Sequence, residues 1–285
     1  MRISKKIGLS TIVLVALAAA AQAQIIGIDF NDGGATNQSP GSTAVAGPVP
    51  TAGWYNNVDV STAPGPISGL LDNTNTATTA TFGFTQGGNT LSGNPIYNSG
   101  YGAVGAANGA LTPDQQLFNG AAYAANAGFS QEVNLSNIPY SQFDVYLLVQ
   151  AIPGGSFVSG YGSVQIFNGS TVGGAGTSYW FSSENASFGS PVPTPFTGSY
   201  VQAIGTTGTG DATPNANYVE FTGLAGGAGT SYSFDLTSPA VSYNNGALID
   251  AIEIVDAVPE PSTYAMMLGG FGMLLGMQKF RNRKS

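Results

Sequence analysis

The chain has 285 residues, 7 Lys and Arg, 15 Asp and Glu, no His and no Cys, for a formal net charge of −8. Every base lies at an end: Arg2, Lys5 and Lys6 open the chain, and Lys279, Arg281, Arg283 and Lys284 close it. Between Ile7 and Gln278 this excludes a disulfide framework, a His-ligated zinc, Ser-His-Asp or Cys-His catalysis and a Schiff-base lysine. It also leaves nothing to neutralise phosphates, so nucleic acid is excluded as a partner.

The basic start leads into an apolar run, Ile7 to Ala20, that is too short for a comfortable transmembrane helix. Ala21 and Ala23 place small residues where a signal peptidase reads them. A basic start, a short apolar core and an A-x-A site together predict a secretory signal peptide over 1–23, cut before Gln24.

The body runs from Gln24 to Ala257, long enough to bury a core without disulfides or metal. It holds 14 acids and no base, so its net charge is about −14 once both ends are removed. It cannot form a salt bridge between its own side chains. Any buried carboxylate must be stabilised by backbone N–H groups, hydroxyls, amides or a cation.

Short runs of Ile, Val, Phe and Tyr between glycine-rich turns predict strands. In chain order these are Ile25–Phe30, Thr79–Phe84, Gly128–Leu135, Phe143–Ala151, Gly162–Phe167, Ser178–Phe181, Thr197–Ala203, Tyr218–Thr222, Thr230–Leu236 and Ala247–Val255. The unbroken apolar run Val145–Val149 belongs at the centre of a sheet. Leu117, Ala121 and Ala125 at fourfold spacing predict one helix over Pro113–Ala125. The stretches Ala35–Thr51 and Gly205–Asn217 read as surface loops. GGAGTSY occurs twice, at Gly173–Tyr179 and Gly226–Tyr232, each followed by Phe two residues later. This is one turn-into-strand solution used twice. Many short strands and almost no helix predict an all-β fold, a single β-sandwich of eight or more strands.

Few groups in this body can do chemistry. Paired carboxylates are compatible with glycoside hydrolysis, but no spacing selects a pair. Asp29 and Asp32, with Asn31 and Gly33–Gly34, place oxygens on a turn after a strand, where a structural calcium ion could bind; no cofactor is otherwise required. Trp54, Tyr55 and Trp180 lie among glycine or asparagine and are candidate platforms for sugar rings, against a core role for each. Alternation at Tyr179-Trp180-Phe181 sends either Trp180 or its two neighbours inward.

At the C-terminus, Val258-Pro259-Glu260-Pro261-Ser262 precedes an apolar stretch, Tyr264–Met277, and then the basic tail. The prolines keep the peptide extended. The apolar segment spans a membrane over 264–280 if the basic residues snorkel. This triplet, apolar segment and Arg/Lys tail, together 258–285, resemble the PEP-CTERM sorting signal. The resemblance implies cleavage near the triplet by an exosortase of a Gram-negative bacterium. It further implies a transient inner-membrane anchor, then delivery to the envelope or extracellular matrix, often alongside exopolysaccharide.

The body is also similar to jelly-roll, galactose-binding-like domains. The similarity rests on Ile28-Asp29-Phe30, Gly53-Trp54-Tyr55, Phe143–Leu147, Tyr218–Leu224 and Ala251–Val255. It implies a jelly-roll-like sandwich between a signal-peptide helix and a C-terminal transmembrane helix. The expected function is therefore an exported, non-enzymatic matrix protein associated with extracellular polysaccharide. The alternative is a structural surface protein that self-associates without affinity for glycan.

Overall fold

The computed structural model describes residues 23–31, 45–53, 55–59, 66–86, 96–97, 112–118, 121–124, 130–152, 159–168, 176–184, 198–206, 215–237 and 246–257, with Gly269 and Gly272. The body, Gln24–Asp256, is one compact unit; Met1–Ala23 and Ala257–Ser285 form another. The signal-peptide helix and the transmembrane segment 264–280 lie outside the described residues, apart from Gly269 and Gly272, both in helical backbone. Among the described residues no helix is long and apolar enough to cross a membrane.

Apolar alternation and β-branched runs give fifteen strands among the described residues. The first eight are β1 (Ile25–Asn31), β2 (Val45–Ala46), β3 (Thr51–Ala52), β4 (Tyr55–Asp59), β5 (Ile67–Ser68), β6 (Thr81–Gln86), β7 (Ile96–Tyr97) and β8 (Ala121–Ala124). The longer ones follow: β9 (Ser130–Ser136), β10 (Gln142–Ile152), β11 (Ser159–Asn168), β12 (Ser178–Glu184), β13 (Tyr218–Ala225), β14 (Ser231–Thr237) and β15 (Gly246–Asp256).

The first sheet has the order β13-β10-β15-β1-β4, with β8 on β15 and β7 on β8. The second has the order β12-β11-β14-β9-β6-β5. From β9 onward the chain alternates between layers: β10 in the first sheet, β11 and β12 in the second, β13 back in the first, β14 in the second, β15 in the first. Strand β15, the last, pairs along its whole length with β10, from Phe143 opposite Asp256 to Ile152 opposite Gly246. Its other edge is shared by β1 at Ala251–Val255 and by β8 at Ala247–Ile249.

The core lies between the sheets. Ile26, Ile28, Val145, Leu147, Val149, Ile252 and Ile254 face Phe82, Val133, Leu135, Val164, Phe181, Phe234 and Leu236, all nearly or fully buried. Aromatic pairs bridge the gap: Phe30–Phe82 at 5.5 Å, Phe143–Tyr232 edge-on at 5.7 Å and Phe221–Phe234 at 5.3 Å between ring centroids. Two inner faces filled by alternate residues make a β-sandwich.

Two expected elements differ. The helix stops early: α1 is only Pro113–Leu117, with a capping box between Thr112 and Gln115. The sequence that follows, Asn119-Gly120, breaks a helix. Residues 121–124 then pair with the open edge of β15, and that pairing overrides their helical spacing. Where the strand Thr197–Ala203 was expected, the described residues 198–206 instead form a connector with isolated bridges, Gln202 to Tyr218 and Gly205 to Trp180. It joins the edge of β13 to the edge of β12, and Gly198 at φ +98° breaks its extended course.

A third layer covers part of the outer face of the first sheet. The β2–β3 hairpin and α1 close Ala46, Leu117 and Phe118 over Tyr55, Leu148 and Ala251, with Tyr200 packed alongside. This cap is what positions the polar groups of the next section.

Candidate functional site

The body begins and ends at one place. Ile25 pairs with Val255, and the Asp256 N–H donates to the Gln24 carbonyl at 2.9 Å. Asn73 pins the start of β1: its Oδ1 accepts from Ile25 N at 3.1 Å, and its N–H donates to the Ile25 carbonyl at 2.8 Å. Asn73 is itself held in a turn whose hub is Asp72 Oδ1, which accepts from Thr74 N, Thr74 Oγ1 and Thr76 N. Burial raises the Asp72 carboxyl, but these hydrogen bonds outweigh it and hold the pKa below its ordinary value. The junction before Gln24 and the junction after Asp256 therefore leave the sandwich side by side.

The second polar feature is a buried acidic layer beneath the cap. Register lines up one row across the outer face of the first sheet: Glu220, Tyr146, Glu253, Gly27, Tyr55. Gly27 leaves the space in which the Tyr55 ring lies, since a Cβ there would sit 2.6 Å from Tyr55 Cδ1. The ring thereby carries its hydroxyl to Glu253 Oε1 at 2.6 Å and to the Ala46 carbonyl at 3.1 Å. Val49 N–H donates to Glu253 Oε2 at 3.2 Å. Gly47, at φ +96°, lets the hairpin settle directly on the carboxyl, where a Cβ would overlap it. The Gly47 N–H donates to Asp114 Oδ1 at 2.9 Å, and Tyr200 donates to the same oxygen at 2.6 Å.

Glu253 is fully buried. Burial pushes its pKa up to about 8 against the opposing bonds from Tyr55 and Val49, with the Asp114 charge adding to the rise. Geometry agrees. The Tyr55 hydroxyl has one proton but faces two acceptors, Glu253 Oε1 and the Ala46 carbonyl. A proton on Glu253 Oε1 lets Glu253 donate to Tyr55 and Tyr55 donate to Ala46, so both contacts are satisfied.

Asp250 owes its place to a bulge. Leu148 opposes Ala251 while Val149 opposes Ile249, so Asp250 is the extra residue on β15. It is fully buried; Gln150 Nε2 donates to its Oδ1 at 2.8 Å and to the Phe118 carbonyl at 3.1 Å. Asp250 Oδ2 and Gln150 Oε1 are buried with no hydrogen-bond partner among the described residues. Burial and the nearby Asp29 charge push the Asp250 pKa well up.

The sequence-predicted residues fall as follows. Asp29 is buried on β1 near Asp250, not on a solvated face; Asp32 lies outside the described residues. No three His, Cys, Asp or Glu side chains among the described residues are grouped to hold a metal. Tyr55 is buried with its hydroxyl on Glu253, which leaves no open ring face for a sugar and corrects the platform expected there. Trp54 lies outside the described residues. Trp180 is half-buried, and its neighbours Tyr179 and Phe181 are the ones that turn into the core. Ala23 is described; Ala21, Val258, Pro259, Glu260, Pro261 and Ser262 are outside the described residues.

Asp250, Glu253 and Gln150 carry the buried chemistry. A jelly roll is expected to bring its first and last strands together, which would place Asp250 or Glu253 near Asp29, and β1 does pair with β15. Gln150 was not singled out from sequence. One signal was available: two carboxylates inside the apolar run Ala247–Val255, in a body without a base, must be buried on both faces of a central strand.

Comparison with known proteins bears on the last segment. Residues 257–284 match the PEP-CTERM protein-sorting motif. No curated protein matches the chain. The matched residues begin immediately after β15, so the chain carries a PEP-CTERM sorting signal joined to its sandwich and is an exosortase-targeted, exported protein.

Proposed function

We propose that this is the precursor of a non-enzymatic envelope or extracellular-matrix protein of a Gram-negative bacterium, associated with exopolysaccharide. One observation carries the reading: a sorting motif starts at residue 257, directly after a sandwich whose strongly perturbed carboxylates are sealed. Glu253 and Asp250 are fully buried under the hairpin and α1, where no substrate reaches them. Acid–base catalysis needs such groups within reach of a substrate proton. The strand orders β1-β15-β10-β13 and β9-β14-β11-β12 support a jelly-roll-like description of the body.

A structural calcium ion belongs to this reading. Asp250 Oδ2 and Gln150 Oε1 are buried acceptors near the Asp29 charge, and the body has no basic side chain to compensate them. An oxygen-only donor set suits a hard cation. Chelation is expected to lower the melting temperature of the wild-type body and to leave D250N unmoved.

The direct test is retention of the mature body on the host's extracellular polysaccharide. Retention, together with accumulation of uncut precursor when Pro259 and Pro261 are replaced, supports the reading; turnover of any glycan by the purified body would sink it. A second reading, self-association without glycan, is favoured by Ile204 and Val201 on the connector, 74 % and 47 % exposed. A body that sediments as a monomer at all concentrations removes that alternative.

A further inference from the structure

The cap covers only part of the outer face of the first sheet, and its margin runs through one row of side chains. In that row Glu253 is sealed, while Tyr146 and Glu220, its neighbours on β10 and β13, are only half-buried. Tyr218 opposes Leu148 one step along and is also half-buried. The rings of Tyr146 and Tyr218 lie 6.1 Å apart and tilted by 37°. Tyr218 then meets Tyr200, at the edge of the cap, at 6.3 Å and 76°.

The polar groups beside these rings are held in place. Glu220 stands directly opposite Tyr146 in the register, and Gln202 Nε2 donates to Glu220 Oε2 at 2.7 Å. Asp144, next on the same face of β10, accepts from Gly223 N at 2.7 Å.

We propose that the Tyr146–Tyr218 strip, with Glu220 and Gln202, binds an uncharged polysaccharide. This rests on the proposed association with exopolysaccharide and names its site. Three considerations point to that ligand. Tyrosines on a rigid sheet present large amphipathic faces at low entropic cost, and sugar C–H groups pack on such faces. Carboxylate and amide groups fixed beside them match the donors and acceptors of hydroxyl-rich rings. The strip carries Asp144 and Glu220 in a body without a base, so uronates and sulfated chains are repelled and neutral ones are not. The bland alternative is a solvated face with no ligand, and the experiment separates the two.

The mature body is run through native gels containing dextran, a galactomannan, hydroxyethyl cellulose or, as the charged control, alginate. The expected result is retardation by at least one neutral polymer and none by alginate. Y146A and Y218A are expected to weaken that binding tenfold or more, and W180A, on the other sheet, to leave it unchanged. Hydroxyl-radical footprinting of the wild-type body with the retarding polymer gives the same answer without a mutation, as protection of Tyr146 and Tyr218. Wild-type retardation with unprotected tyrosines, or lost only in W180A, overturns the strip and leaves the glycan reading standing. No retardation by any neutral polymer, or stronger retardation by alginate, overturns the strip; absence of retention on the host's own polysaccharide as well overturns both.

Discussion

At Glu253 a single proton decides how the cap sits. Its folded pKa of about 8 lies above the ordinary carboxylate value, so the neutral form is favoured on folding. The stability this contributes is complete below about pH 4.5 and is lost as pH rises through 8, a fall on the order of a few kcal/mol. Urea midpoints measured from pH 5 to pH 8.5 are expected to decline. In E253Q the amide can donate to Tyr55 while its oxygen accepts from Val49, so the decline should shrink over that range, the remainder belonging to Asp250, and the midpoint at pH 5 should hold. A wild-type midpoint that rises toward pH 8 would refute a neutral Glu253.

Gly27 tests the same contact from the other side. Replacing it with Ala puts a methyl group 2.6 Å from the Tyr55 ring, and both residues sit in paired strands that resist displacement. Overpacking of this kind costs about 1–3 kcal/mol. Equilibrium urea unfolding of G27A should show that loss with the pH dependence kept, because burial raises the Glu253 pKa and the Tyr55 bond only opposes the rise. Neither residue announces this role in the sequence. A glycine in a strand signals a close approach but not by which ring, because the partner comes from parallel strand β4, beyond the segment that folds into the hairpin.

Among the elements, the GGAGTSY repeat shows how much can be read locally. Both copies lead into strands beginning at Ser178 and Ser231, and both place Phe, at 181 and 234, fully inside the core. The two strands flank β11 on opposite sides, which no local pattern specifies. The long strands were legible because their alternation is dictated by burial on one face. The two-residue strands and β8 were not, because their pairing depends on an edge supplied from far along the chain. The bulge in β15 escaped for a related reason. Asp250 lets Ala247 and Ile249 share a face with Ile252 and Ile254, although the two sets are out of phase for a regular strand. Deleting Asp250 removes the extra residue and leaves Ala247, Ile249, Ile252 and Ile254 in regular alternation on one face, so the shortened body is expected to keep its protease resistance. Loss of that resistance in the deletion, when D250A keeps it, would count against this account of the bulge.

For the molecule as a whole, the adjacency of Gln24 and Asp256 matters most. Joining these ends with a short linker and opening the chain elsewhere should preserve the fold, since the closure bridges groups already hydrogen-bonded at 2.9 Å. Removing β15 should not be tolerated. It supplies Ala247, Ile249, Ile252 and Ile254 to the core and holds β10, β1 and β8 together. A body ending at residue 245 is therefore expected to be fully degraded by a protease concentration that the complete body survives. The sorting motif was legible because it is a linear signal carried by residue order, while the closeness of the two junctions is a property of the folded sheet.

The central strand is also the last of the body to be made. An exported chain that emerges amino end first presents β1 long before the strand that must lie between it and β10. The first sheet cannot close while residues 246–256 are still inside the translocation channel. Until they emerge, β1 and β10 lack the strand that joins them, so the first sheet can lock only at the end, an order of events set by strand order.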